Sequence, residues 1–85
     1  MSLRLCADVS ELETDEGMVL LDERAGRYWQ LNRTGTFIVR TLLEGSTPQE
    51  ISKTLAQRHG VSVEQVTTDV AVLVERLQTA GLVTA

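Results

Sequence analysis

The chain has 85 residues, of which 42% are hydrophobic and 24% charged, and its formal net charge is −4. A chain this short forms one domain, here residues 1–85, and its small core excludes a large enzyme pocket. Its net negative charge is the opposite of the positive charge expected for a nucleic-acid-binding protein. The single cysteine, Cys6, excludes an internal disulfide and a cysteine-rich zinc site, and no apolar run approaches the roughly 18 residues of a membrane span. Because the N-terminus also lacks the apolar stretch of a signal peptide, we expect a cytoplasmic domain without membrane contact, metal or cofactor.

The first part of the chain predicts three strands. Alternating apolar residues favour a short edge strand at residues 3–7, and the acidic stretch 10–16 is predicted as a loop. Residues 18–21 and 27–31 are predicted as strands, and the turn at residues 22–26 between them contains a glycine. These two strands should therefore pair as a hairpin.

Beyond the hairpin, helical spacing predicts three helices. The first covers residues 34–44, the second begins at the capping box Thr47–Glu50 and is stopped by Gly60, and the third begins at the capping box Ser62–Gln65 and runs to about Ala80. The buried stripe of the third helix is predicted to comprise Val63, Val66, Val70, Leu73, Val74 and Leu77. A three-stranded antiparallel sheet followed by three helices is an α+β fold on the winged-helix plan.

Residues that could support catalysis are sparse, so the chain is not expected to be an enzyme. The only histidine, His59, lies at a helix C-terminus, where its charge suits the helix dipole. Cys6 lies on the predicted edge strand, and no third group that would orient a Cys–His pair is evident. The acidic segment lacks the spacing of a calcium loop, and no glycine-rich phosphate-binding motif is present.

DNA binding is disfavoured by the charge of the last helix, which reads the major groove in most winged helices. This helix carries Glu64, Asp69 and Glu75 against Arg76 alone. Phosphate would repel such a surface.

Peptide binding is favoured by the last predicted strand and the last helix. Strand alternation places Arg27, Trp29 and Leu31 on one face and Tyr28 and Gln30 on the other, and a free strand edge can accept an extended peptide. At 100° per residue, Val72 lies about 140° from the centre of the buried stripe, so its side chain should be exposed. Three other residues share this flank of the helix, so the candidate groove residues on the helix are Asp69, Val72, Leu73 and Arg76.

Several segments together resemble the PqqD family, which is named for a chaperone of pyrroloquinoline quinone biosynthesis. They are Leu-Asn-Arg-Thr-Gly at residues 31–35, Leu-Leu-Glu-Gly at residues 42–45, Thr-Pro-Gln-Glu-Ile at residues 47–51 and Gly-Leu-Val at residues 81–83. The resemblance extends from about Leu3 to Val83. We interpret Asn32, Thr34 and Gly35 as structural residues of the corner between strand and helix.

The resemblance implies a winged-helix-like protein that binds the leader segment of a ribosomally made precursor peptide. In this family the leader adds as a strand to the third strand, its side chains enter a groove against the last helix, and the bound precursor is delivered to processing enzymes. Members of this length are similar to those of lasso-peptide clusters, whose partners are a transglutaminase-like leader peptidase and an asparagine-synthetase-like cyclase. Lasso leaders with a Tyr-x-x-Pro-x-Leu pattern would suit an apolar groove.

Carried over by position, the implied peptide-binding site comprises Arg27, Tyr28, Trp29, Gln30, Leu31, Asp69, Val72, Leu73 and Arg76. Three alternatives stay open. The chain could serve pyrroloquinoline quinone or another modified-peptide pathway, it could be a scaffold that binds only an enzyme, or it could be a degenerate DNA-binding winged helix.

Overall fold

A computed structural model describes residues 3–84, which form two small antiparallel sheets and three helices. The strands are β1 (Arg4–Leu5), β2 (Val9–Thr14), β3 (Gly17–Asp22), β4 (Arg27–Leu31) and β5 (Val83–Thr84), and the helices are α1 (Arg33–Leu43), α2 (Pro48–His59) and α3 (Val63–Thr79). The three-stranded sheet has the order β2-β3-β4, and β1 pairs with β5 in a separate ladder. The predicted α+β fold, with a three-stranded antiparallel sheet followed by three helices, is confirmed.

The prediction of a loop over the acidic stretch is wrong, because most of this stretch is strand β2. It pairs along its whole length with β3, from Val9 opposite Asp22 to Thr14 opposite Gly17. The acidic side chains on this strand are exposed, and Glu13 forms an ion pair with Arg40 of α1. β2 is an edge strand whose side chains are mostly exposed, and charged side chains on an edge strand discourage pairing with another chain, so its sequence lacks the apolar alternation of a buried strand.

The predicted first strand is also corrected, since β1 does not belong to the three-stranded sheet. Leu5 lies opposite Val83 and Arg4 opposite Thr84, so β1 pairs with the last described residues of the chain. Cys6 continues this contact by donating its N–H to the carbonyl of Leu82 at 3.0 Å. Such a pairing depends on residues far apart in the sequence, which no local pattern could indicate.

The predicted hairpin of β3 and β4 is confirmed. Its turn contains Gly26 at φ 67°, and the Asp22 carboxylate accepts hydrogen bonds from the backbone N–H groups of Arg24 and Ala25 at 3.1 and 3.2 Å. Glycine adopts this left-handed conformation without the steric cost that a side chain adds. The turn fixes the register in which Leu20 lies opposite Trp29.

All three predicted helices are confirmed, and each begins at a polar cap. Asn32 caps α1 by accepting from the N–H of Gly35 at 2.8 Å, and Ser62 caps α3. Thr47 caps α2 in a complete capping box, in which hydrogen bonds from the Thr47 backbone and side chain lower the pKa of Glu50. Because this pKa is lower in the folded state than in the unfolded state, the ionised Glu50 contributes to the stability of the fold above the unfolded pKa, and this contribution is lost as the pH falls through the folded pKa.

The core lies between one face of the three-stranded sheet and the helices. Met18, Leu20 and Leu31 of the sheet are buried in one cluster with residues of the helices and of the C-terminal segment, namely Ile38, Val39, Leu42, Ile51, Leu55, Ala56, Val66, Val70, Leu77, Leu82 and Val83. None of the described helices has the length and apolarity needed to cross a membrane.

The predicted buried stripe of α3 is confirmed except at its first residue. Val66, Val70 and Leu77 are buried, and Leu73 and Val74 are half-buried against the core. Val63 is instead 44% exposed, because it is the first residue of α3 and follows an exposed turn.

Ser52 is a buried polar residue whose hydroxyl finds no hydrogen-bond partner among residues 3–84. A buried hydroxyl without a partner keeps its desolvation cost, so we expect Ser52→Ala to raise the free energy of unfolding by about 1 kcal/mol. Thermal unfolding measures this change. Gln57→Ala, at an exposed position of the same helix, reports the gain in helix propensity alone, and an equal gain for both variants would contradict the prediction.

Candidate functional site

A groove on the described surface lies between β4 and the C-terminal half of α3. It is an open cavity of about 500 Å³ lined by Arg27, Trp29, Val72, Glu75, Arg76, Thr79 and Ala80. The walls come from two elements that are far apart in the sequence, so the groove exists only in the folded chain.

The side chains of β4 divide between the groove face and the outer face of the sheet. Trp29 lies opposite the fully buried Leu20, so its side chain is on the helix side of the sheet, where it is 36% exposed beside the groove. Leu31 is on the same face and is buried in the core. Tyr28, which is 70% exposed, and Gln30 lie on the outer face. The alternation predicted for this strand is therefore observed, and Arg27 and Trp29 are the β4 side chains that line the groove.

The backbone of β4 offers its own binding groups, because β4 pairs only with β3 among the described residues. Glu23, the residue after β3, donates its N–H to the carbonyl of Asp8 at 2.8 Å, in continuation of the register between β3 and β2. Because hydrogen-bonded pairs alternate along an antiparallel ladder, the odd-numbered residues of β3 then point their hydrogen-bonding groups toward β2. The even-numbered residues of β3 must then bond to the odd-numbered residues of β4, which lie directly opposite them. The N–H and C=O groups of Tyr28 and Gln30 consequently point toward the free edge.

The α3 wall of the groove is formed by one face of the helix. Val72 is 42% exposed, and the other wall residues follow it at helical spacing, namely Glu75, Arg76 and Thr79, with Ala80 next. Glu75, Thr79 and Ala80 were not among the sequence-predicted residues. They follow from Val72 at i+3, i+7 and i+8, so the same helical period could have indicated them.

Two predicted residues of α3 lie elsewhere. Asp69 lines a second cavity together with His59 and Val61, and Leu73 is half-buried against the core. The isolated cysteine and histidine are not brought together either, because Cys6 borders a different cavity, beside Asp8 and Gly81. Within residues 3–84, no group of three His, Cys, Asp or Glu side chains is placed to hold a metal ion.

Comparison with known proteins connects this geometry to one family. The family model described as "Coenzyme PQQ synthesis protein D (PqqD)" matches residues 17–83, which include both walls of the groove. A search of curated proteins found no match.

Two solved structures share the fold. The structure named "Lasso peptide synthetase B1 complexed with the leader peptide" is 39% identical over 100% of both chains, with a TM-score of 0.94. The structure named "TbiB1 in Complex with the TbiA(beta) Leader Peptide" is 26% identical over 96% of this chain and 94% of that one, with a TM-score of 0.79.

Proposed function

The chain belongs to the PqqD family, and we propose that it binds the leader segment of a ribosomally made precursor peptide, as a recognition element without catalytic activity in lasso-peptide biosynthesis. The observation that carries this proposal is the free edge of β4 directly beside the groove against α3. Both similar structures are named as complexes with a leader peptide, which supports the same function here.

Strand addition to β4 is the proposed mode of binding. The outward-pointing N–H and C=O groups of Tyr28 and Gln30 would bond to alternate residues of an extended leader. The intervening leader residues would direct side chains to the helix side of the sheet, where Trp29 and Val72 offer apolar surface. Of the candidate binding residues, Arg27 and Arg76 would contact the leader at the rim of the groove. Leu31 and Leu73 would support the groove from the core, and Asp69 lies outside it.

Delivery of the bound precursor to processing enzymes is the second part of the proposal. The expected partners are a transglutaminase-like leader peptidase and a lasso cyclase, and an open groove of this kind would leave the remainder of the precursor accessible to them. A role in pyrroloquinoline quinone synthesis would use the same groove with a different leader. DNA binding is disfavoured, because the α3 wall includes Glu75 and the helix carries Glu64 and Asp69 besides.

Hydrogen exchange tests the binding mode at single amides. We expect the leader peptide of the 39% identical lasso peptide synthetase B1 to slow exchange at Tyr28 and Gln30, whose N–H groups face the free edge. The amide of Trp29 is the internal control, because its N–H faces β3 and should change little. Unchanged exchange at Tyr28 and Gln30 with saturating leader would rule out strand addition, and no binding at millimolar leader would contradict the proposed function.

Substitutions at two valines of α3 distinguish an effect on leader binding from an effect on the stability of the fold. Val70 is 1% exposed, so Val70→Ala should lower the free energy of unfolding by about 1–3 kcal/mol through lost burial and a cavity. Val72 is 42% exposed in the groove, so Val72→Ala should change stability by less than about 0.5 kcal/mol and yet weaken leader binding roughly fivefold. A melting curve and a leader titration for each variant check both effects. A Val72→Ala variant that binds like the wild type would place the leader outside this groove.

A further inference from the structure

Arg27 and Arg76 face one groove from its opposite walls, on β4 and on α3. We propose that they form a carboxylate-binding position, so that the groove selects a leader with an aspartate or glutamate at one defined place. This inference rests on the proposed function, because the ligand it describes is a residue of the bound leader.

Neither arginine is engaged by an acidic partner within residues 3–84. The ion pairs found there join Arg24 to Asp8 and Arg40 to Glu13. Asp22 lies directly opposite Arg27 in the ladder, but its carboxylate accepts hydrogen bonds from the turn backbone. Two guanidinium groups in the groove are therefore available to a ligand.

The local charge at the groove is opposite to that of the chain. Its lining contains two arginines and one acidic residue, Glu75, whereas the whole chain has a net charge of −4. The carboxylate oxygens of Glu75 lie more than 4 Å from the guanidinium nitrogens of both arginines, since Glu75 takes part in none of the ion pairs of the described residues. A positive groove on an acidic protein favours an anionic group at this place over the rest of the surface.

The chemistry of the pair suits a carboxylate on an extended peptide. Arginine offers a planar fork of donors that matches a carboxylate, and the apolar surface of Trp29 and Val72 beside it lowers the local dielectric constant and strengthens the contact. Arg27 and Trp29 are two positions apart on the same face of β4. A leader strand has the same alternation, so its acidic residue should lie two positions from the apolar residue that meets Trp29.

Charge-neutral variants test the proposal with the leader of the similar lasso peptide synthetase B1. We expect Arg27→Gln and Arg76→Gln each to weaken binding about five- to tenfold, with melting temperatures unchanged because both side chains are exposed. The affinity of the wild type for the leader should decrease as NaCl is raised from about 50 to 500 mM, and the double variant that combines Arg27→Gln with Arg76→Gln should lose this salt dependence. Arg33→Gln, an exposed arginine outside the groove, is the matched control and should bind like the wild type.

Replacing each acidic residue of the leader by its amide then identifies the partner. One replacement should weaken binding to the wild type but not to the double variant. Salt-independent wild-type binding, an equal loss in Arg33→Gln, or the absence of any such coupled leader residue would overturn the inference. If binding protects the Tyr28 and Gln30 amides while the arginine variants bind normally, only this inference fails. If the leader does not bind the wild type, the proposed function fails.

Discussion

Gln30→Pro should weaken leader binding at least tenfold while the protein stays folded. The N–H of Gln30 points toward the free edge of β4, so proline removes a group that the leader would use and leaves the ladder with β3 intact. Leader binding is weakened both by the loss of this hydrogen bond and by the steric clash of the proline ring with the incoming strand. Fluorescence titration with the leader and far-UV circular dichroism of the free protein measure the two outcomes.

Two further variants make this result specific. Gln30→Ala keeps the N–H and should bind within about twofold of the wild type, because the side chain lies on the outer face. Trp29→Pro removes an N–H that faces β3, so it should destabilise the fold itself. A Gln30→Pro protein that binds normally would show that the leader does not add to β4, and one that unfolds would show that this N–H belongs to the ladder.

Gly17→Ala should destabilise the chain by several kcal/mol, a large part of the roughly 5 kcal/mol expected for a small domain. Gly17 has a φ of 157°, and a Cβ there would lie 2.2 Å from the backbone oxygen of Leu31 and 2.8 Å from the Thr36 hydroxyl. These steric clashes can be relieved only if the start of β3 moves away from the corner between β4 and α1. Chemical denaturation measures the loss.

Gly26→Ala is the matched control for this prediction. Gly26 also has a positive φ, 67°, but nothing lies within 4 Å of a Cβ built on it. Its substitution therefore carries only the cost of the left-handed backbone, about 1 kcal/mol. Equal losses for the two variants would show that backbone conformation, rather than the close approach to Leu31, explains the requirement at Gly17.

The elements that the sequence predicted correctly are those with local signals. The helix starts follow from caps such as Thr47 and Ser62, and the hairpin follows from two apolar strands around a glycine-containing turn. Strand β2 has no such signal, because its side chains are mostly polar and its conformation depends on pairing with β3. The β1–β5 ladder depends on an even longer-range contact.

The groove could be predicted in part for a related reason. Period-two alternation placed Trp29 and Arg27 on one face of β4, and helical phase placed Val72 and Arg76 on an exposed flank of α3. The distance between these two surfaces is a tertiary property, so the sequence could not show which turns of α3 approach β4. Asp69 shares a flank with Val72 in this helical phase, but it lies nearer the N-terminus of the helix and borders another cavity.

The pairing of β1 with β5 has a consequence for the order in which the groove assembles. The β4 wall belongs to hairpins that close short loops, whereas the α3 wall leads through Leu82 into a ladder that joins Arg4 to Thr84 across almost the entire described chain. Loop-closure entropy makes such a contact slow to form and local hairpins fast. We therefore expect the strand edge to form early in folding, and the ladder that follows α3 to close later, when the two ends of the described chain meet.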